Sequence, residues 1–390
     1  MRRRAVFDCC KWDTQVEDVT TLVRFPLLLP PATWRELADL AEALARETLA
    51  AEAELLLRPD LHAMLALPRA TRAALRRALP NGASPGVARL IRFDFHLTPG
   101  GWRISEANTD VPGGLNEASG FAALIAARYP GVSTVGDAAG AYADALTRAL
   151  PPAPRLALIH ATAYSDDHQV MRYLSRRLAE RGAETVLASP AHLRWPGGRA
   201  HLVADWAPGP VDALVRFFPA EWLHNLPRAT AWGRFFGGAR TPASNPAAAL
   251  LTQSKRFPLV WDALRTPLPT WQRLLPETRD PRDVAWRTGD EWVLKPALGR
   301  VGEGIGMPGA TAPKEWRQIR RAIFWHGRHW VAQRRFDATP LDTPDGTRFP
   351  CVGVYTVDER AVGAYGRLAT RPLIDSKAQD VAVLLEGAIA

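Results

Sequence analysis

The chain has 390 residues, 47% of them hydrophobic and 23% charged, with 14 Trp and 13 Phe. At roughly 100–200 residues per domain, that length calls for two or three domains, and the composition excludes a mainly disordered protein. The net charge of +9 does not mark a nucleic-acid binder, which concentrates its charge on one face or tract; here the only basic run is Arg2-Arg3-Arg4, and the rest is scattered among acids.

Arg supplies 44 of the 49 basic residues. Each of the five lysines, Lys11, Lys255, Lys295, Lys314 and Lys377, is therefore a candidate for chemistry. The N-terminus is basic but has no long apolar stretch behind it, so no signal peptide is expected. No uncharged apolar run approaches the roughly 18–20 residues of a membrane span. Three cysteines, two of them adjacent (Cys9 and Cys10), make no disulfide framework. A reducing cytoplasm, with no membrane partner, is the expectation.

Thr33-Trp34-Arg35-Glu36 reads as a capping box. Trp34, Leu37, Ala41, Leu44, Ala51 and Leu55 follow at helical spacing up to a stop at Pro59. From Arg89 the period changes to two. Leu90, Arg92, Asp94 and His96 point one way, and Ile91, Phe93, Phe95 and Leu97 the other. After the turn at Thr98-Pro99-Gly100-Gly101, Trp102–Asn108 alternates again, with Glu106 and Asn108 on one face. The expected register sets Asp94 against Glu106 and Arg92 against Asn108. That parity points to a three-residue turn, Pro99-Gly100-Gly101, with a left-handed Gly.

A Pro-rich joint at 151–154 opens an α/β stretch. Its expected strands are Leu156–Ile159, Glu184–Leu187 and Val211–Phe218, with a helix over Val170–Glu180. The segment from Gly237 to Pro246 reads as loop and as a boundary. Beyond it come a helix from Leu251, a strand Glu291–Pro296 and a Gly-rich loop. A helix near Trp316–Phe324, a strand His329–Phe336 and an antiparallel pair, Val352–Val357 with Ala361–Gly366, complete the chain. The division is 1–150, 151–245 and 246–390.

Four constellations bear chemistry. Arg92-Phe93-Asp94 and Glu106-Ala107-Asn108-Thr109-Asp110 bring two carboxylates, an amide and a guanidinium onto adjacent faces. Such oxygen donors suit Mg²⁺, and Arg suits phosphate or carboxylate. Alternation with polar outer faces also describes an ordinary exposed hairpin with a salt bridge. Lys295 enters a loop carrying Gly299, Gly302, Gly304 and Gly306. Glycines let backbone N–H groups approach phosphate, and the Lys adds a point charge. This is neither a P-loop nor the dinucleotide fingerprint. Ser254-Lys255-Arg256 is a second basic point, and Arg367 ends a strand; alone, either reads equally as a surface feature. His326 and His329 lack a third ligand at zinc spacing, and no Gly-x-Ser-x-Gly elbow occurs.

In this order, the four constellations resemble the circularly permuted ATP-grasp ligases of the glutathionylspermidine synthase family. The resemblance implies an α/β (α+β) protein, with a circularly permuted ATP-grasp fold and a pre-ATP-grasp-like domain. It implies that Asp94, Glu106 and Asn108 hold two Mg²⁺ ions. By the same resemblance Lys255 and Lys295 bind ATP phosphates, with Gly299, Arg300, Gly302, Gly304 and Gln333 completing the nucleotide site. Arg92 and Arg367 would steady the transferred phosphoryl group. Asp110, Gly113, Gly114 and Glu117 would face the substrates, Glu117 attracting an ammonium. Family members carry hydroxyls after the Asn-x-Asp where this chain has Val111 and Gly113, which argues against glutathione as the acid.

The expected activity is thus ligation of a small carboxylate to an amine, a polyamine or an amino acid, by a monomer or homodimer. The rival readings are a phosphotransferase, a basic nucleic-acid-binding protein and a degenerate scaffold of the same fold.

Overall fold

The computed structural model describes residues 1–16, 19–78, 86–299 and 304–387. Helix α1, Pro31–Leu56, buries Leu37, Ala41, Leu44, Ala51 and Leu55 on one stripe. It begins two residues before the expected Thr33 cap. Pro30 is the N-cap, Pro31 occupies the first turn and no side chain caps the end. A proline there has its φ already set and no N–H to satisfy, so the helix needs no hydroxyl cap.

Strands β1 (Leu90–Thr98) and β2 (Gly101–Asn108) form the hairpin. A helical run over 115–126 follows, with a π-turn at Glu117–Phe121. Then come α2 (Ala138–Arg148), β3 (Arg155–Ile159), α3 (Ser165–Ala179), β4 (Glu184–Ala188), β5 (Ala213–Arg216) and β6 (Ala243–Ser244). The chain continues through β7 (Trp292–Pro296), α4 (Pro313–His326), β8 (Trp330–Arg334), β9 (Gly346–Val357), β10 (Arg360–Ala369) and β11 (Gln379–Val381). Several expected bounds shift: β9 begins six residues before the expected Val352, and α3 five before the expected Val170. The strand expected at Val211–Phe218 shortens to β5, and the expected loop from Gly237 to Pro246 contains β6.

The largest sheet runs β11-β10-β9-β1-β2, antiparallel throughout. It joins segments from the two ends of the chain. Ile91, Phe93 and Phe95 turn into a core shared with α1, as the period-two pattern requires, although Leu97 is 37% exposed. The opposite face carries Arg92, Asp94 and His96. A second sheet, β6-β5-β3-β4, is parallel. Its β3 and β5 are nearly continuous buried apolar runs, as strands covered on both faces must be. A third, small sheet pairs β8 with β7 on one side and the short strand Thr278–Arg279 on the other. No helix among the described residues is long and apolar enough to cross a membrane, and the three cysteines are free and buried.

Hairpin pairing sets Arg92 opposite Asn108 and Asp94 opposite Glu106, as expected. The turn is not the expected one. Thr98 pairs with Gly101, leaving the two-residue turn Pro99-Gly100, and the odd residue is absorbed lower down. Phe95 pairs with Ile104, so Ser105 is the extra residue of a β-bulge.

Candidate active site

The bulge has a consequence for the site. It turns the Ser105 carbonyl out of the ladder, and Lys295 Nζ donates to it at 2.9 Å. The same ammonium donates to Gln333 Oε1 at 2.7 Å, and Gln333 Nε2 donates to Thr278 Oγ1 at 3.3 Å. The small sheet is thereby pinned over the polar face of the large one. Lys255 completes the junction, donating to the Gly299 carbonyl at 3.0 Å and facing Glu106 Oε2 at 3.2 Å.

On the sheet face, Arg92 grips Asp94 with two hydrogen bonds, 2.7 and 2.9 Å, and donates to the Gly113 carbonyl at 2.8 Å. Asn108 Nδ2 donates to Asp94 Oδ2 at 3.1 Å. These side chains lie flat across β9 because the residue opposite Asp94 is Gly353. A Cβ there would stand 2.7 Å from Arg92 Cδ and 2.9 Å from Asp94 Oδ1. Gly114 is likewise obligatory. Its φ is +87°, and a Cβ would meet Tyr355 Oη at 2.8 Å. Arg367 Nη2 donates to the carbonyls of Asp375 and Ala378 at 2.7 and 3.1 Å.

These groups surround one cleft of about 350 Å³, a volume suited to a small molecule. Of the expected site residues, Arg92, Asp94, Glu106, Asn108, Lys295 and Arg367 all line it. So do Gly299 and Gln333 on the side of the small sheet, and Gly113 and Gly114 on the other. Lys255 reaches it through Glu106. Gly304 has a φ of +67° and is not on the lining. Two residues later Gly306 pairs back onto Leu294 through two backbone hydrogen bonds. Arg300 and Gly302 lie outside the described residues.

Electrostatics fit the geometry. Burial opposes ionisation of Glu106, but Lys255, Lys295 and Arg92 outweigh it and hold the carboxyl down at about 2. Burial lowers Lys295 to about 8; Lys255 pushes the same way and Glu106 resists. Burial, with Lys295 beside it, brings His96 down to about 4. Its neutral ring sits 3.0 Å from Ser105 Oγ. Four cations, Arg92, Lys255, Lys295 and Arg367, face two carboxylates, Asp94 and Glu106. Around these groups the surplus is positive, as a polyphosphate requires, whereas the rest of the lining, with Asp13, Asp166, Asp167, Glu221 and Asp380, is acidic.

Asp94, Glu106 and Asn108 are the expected cation ligands, and all three line the cleft. Among the described residues no cluster of three His, Cys, Asp or Glu side chains could hold a metal by itself. Two carboxylates and an amide are donor types that suit Mg²⁺, which takes few protein ligands and fills its shell with phosphate and water; here Arg92 holds both Asp94 oxygens and Lys255 faces Glu106.

Two expected substrate residues are occupied otherwise. Asp110 lines the cleft, yet one carboxylate oxygen is taken by Arg216 and the other by the Ala220 N–H at 2.9 Å. It ties the hairpin to β5. Glu117 does not offer an open carboxylate to an ammonium, because Lys11 Nζ already stands 2.6 Å from its Oε1. Asp380 and Asp13 complete the grip on Lys11, at 2.8 and 3.0 Å. No sequence spacing links residues 11, 13, 117 and 380; the scarcity of lysine is the only signal. Tyr355 and Tyr365 are further contributors, stacked under Arg92 with ring centres 5.9 and 5.3 Å from its guanidinium carbon.

None of the curated proteins matches this chain in sequence. Among solved structures, a glutathione synthetase-like effector from Globodera pallida, in its apo form, superposes with a TM-score of 0.62 at 12% identity, covering 97% of this chain and 96% of its own. A protein designated a γ-glutamylcysteine synthetase from Methylobacillus flagellatus aligns at 14% identity and a TM-score of 0.48, over 92% of this chain and 89% of its own. The family model for the glutathionylspermidine synthase preATP-grasp matches residues 29–386. Nearly the whole chain is spanned by that match, and the chain belongs to the glutathionylspermidine synthase preATP-grasp family, with an ATP-grasp-type ligase fold.

Proposed function

We propose that the protein is an ATP-dependent carboxylate–amine ligase that forms an amide through an acyl-phosphate. The observation that carries the reading is the convergence of Arg92, Lys295 and Arg367 with Asp94, Glu106 and Asn108 on one cleft, with Lys255 behind Glu106. A carboxylate does not condense with an amine in neutral water. Attack of its oxygen on the γ-phosphorus, with ADP leaving, creates an acyl-phosphate. Attack of the amine nitrogen on the acyl carbon then expels phosphate, and the nitrogen gives up its proton.

The first step gathers negative charge from three anionic partners at one point, so its barrier falls where fixed cations surround that point. Lys255 and Lys295 hold the nucleotide phosphates in this reading, and Arg92 and Arg367 steady the group in transit. Asp94, Glu106 and Asn108 would hold Mg²⁺, whose contribution is to neutralise charge between phosphate oxygens. Gln333 on β8 fixes Lys295 in place. No side-chain nucleophile is required.

The acid enters past Val111, Gly113 and Gly114. No hydroxyl is on offer at 111 or 113, so the acid is one other than glutathione. Segments 1–150, 151–245 and 246–390 form the functional division in this reading, with the hairpin, the parallel sheet and the nucleotide-binding strands respectively. The reaction belongs to a reducing cytoplasm. The test is ADP release from Mg·ATP with pooled small carboxylates and amines. ADP release requiring both an acid and an amine is expected. Release with an acid alone, yielding a stable phosphorylated product, would establish the phosphotransferase instead. No release with any pair would sink both.

A further inference from the structure

Beside Arg367 the cleft holds a charge arrangement that the ligation chemistry above does not use. The Lys11 ammonium is enclosed, its side chain 5% exposed, by Glu117 at 2.6 Å, Asp380 at 2.8 Å and Asp13 at 3.0 Å. An ammonium has three N–H donors, and three carboxylates take them. The segment carrying it is held from several sides. The Lys11 N–H donates to the Ala5 carbonyl, the Trp12 N–H to Gln169 Oε1 at 2.7 Å, and Thr21 Oγ1 to the Asp13 carbonyl at 2.7 Å. Tyr365 Oη donates to Asp380 Oδ1 at 2.7 Å. Lys11, Asp13, Glu117 and Asp380 all line the same cleft as Arg92 and Asp94.

A nucleophilic Lys11 would need a free amine. Burial opposes its charge, but Asp380, Glu117 and Asp13 outweigh burial and hold the ammonium well above its ordinary range. An anion-binding Lys11 would need a spare donor, and it has none. The remaining role is to satisfy the carboxylates themselves. Even so they remain in excess. Glu117, 5% exposed, keeps Oε2 without a hydrogen-bond partner, as does Asp13 with Oδ1. Arg367 Nε flanks Asp380 Oδ1 at 3.9 Å, so three carboxylates meet one enclosed ammonium and one flanking guanidinium, in a cation pocket that the chain fills with its own side chain.

We infer that Lys11 is a specificity-determining residue, a built-in ammonium that occupies the cation subsite of the cleft and so excludes a second ammonium of the amine substrate. The inference rests on the ligase reading. It narrows that reading, because a diamine or polyamine needs an anionic subsite for its distal charge and this chain has already filled it. The amine of choice carries one ammonium only, the one that reacts once deprotonated.

Replacing Lys11 with Ala leaves a cavity the shape of n-propylammonium, which is the probe. Thermal unfolding of the full chain is measured with n-propylammonium, spermidine, n-propanol and NaCl of matched ionic strength. Wild type is expected to respond to spermidine no more than to the salt control. Lys11→Ala is expected to unfold at a lower temperature and to be stabilised saturably by n-propylammonium and spermidine, but not by n-propanol. Should that variant not fold, Lys11→Ala combined with Glu117→Gln, which removes one unpaired buried carboxylate, carries the same test. In turnover, Lys11→Ala should shift selectivity toward diamines over monoamines by about tenfold or more, a step of one decade in relative affinity.

Saturable stabilisation of wild type by spermidine, or a folded Lys11→Ala indifferent to both ammonium probes, would overturn the inference. Turnover by Lys11→Ala with unchanged amine selectivity would do the same while leaving the ligase reading intact. Absence of ATP turnover with every acid and amine would sink the ligase reading and leave the thermal result standing.

Discussion

Asp110 offers the sharpest test of the distinction between scaffold and substrate contact. Its partner Arg216 has a fully buried side chain, at 0% exposure, and Asp110 is at 4%. The perturbation is Asp110→Asn, which keeps the shape and removes the charge. An Asn oxygen can still accept from the Ala220 N–H, but its amide N–H groups then confront the Arg216 guanidinium, donor against donor. Removing one member of a buried pair costs about 3–5 kcal/mol. Arg216 retains the carbonyls of Asn245, Phe218 and Pro246 as acceptors, so the lower end, about 3 kcal/mol, applies. For a chain of this size, at about 2 °C per kcal/mol, the unfolding temperature should fall by about 6 °C. The assay is thermal unfolding followed by circular dichroism, together with the urea midpoint. A folded variant of unchanged stability that had lost turnover would refute this reasoning and return Asp110 to the substrate.

The remaining predictions concern the nucleotide and the acid. Lys255→Ala should weaken ATP binding by about ten- to a hundredfold, since a hydrogen bond to a charged group contributes about 1.5–3 kcal/mol, whereas Lys314→Ala, on α4, should change it less than about twofold; calorimetry giving equal affinities would move the nucleotide elsewhere. Lys295 is lowered to about 8, so it loses its proton as pH rises through that value, and phosphate loses a cation. ATP affinity should therefore decline above about pH 8 in wild type and much less in Lys295→Arg; a flat wild-type profile from pH 7 to 9.5 would contradict the assignment. Glutathione with spermidine under saturating Mg·ATP should give little or no turnover, and a glutathione KM in the micromolar range would refute the substrate argument while leaving the ligase standing.

Much of the hairpin is legible in the sequence because alternation is a local property. Arg92, Asp94, Glu106 and Asn108 meet as their period demands. The cause of their parity is not legible. A bulge at Ser105 has no distinguishing composition, and Gly100-Gly101 fits a three-residue turn as well as a two-residue one. The start of α1 shows two local signals in competition, the Thr33 capping box and Pro31, and the rigid φ of proline prevails. Asp110 sits in a motif rich in cation ligands, but its partner Arg216 lies far along the chain on β5. Packing between segments decided its role, and no spacing rule reaches that far. Lys11 is the extreme case, since its three carboxylates come from 13, 117 and 380. Charge pairing in three dimensions assembled them, and the rarity of lysine in an Arg-rich chain is their only trace in the sequence.

The central claim is that a carboxylate oxygen attacks the γ-phosphorus of ATP before the amine arrives. It is tested by ligation of an acid labelled with ¹⁸O in its carboxylate, followed by mass spectrometry of the phosphate released. The account predicts one ¹⁸O atom in each phosphate, with the other retained in the amide. Phosphate free of label, in a reaction that still consumes ATP, would contradict it.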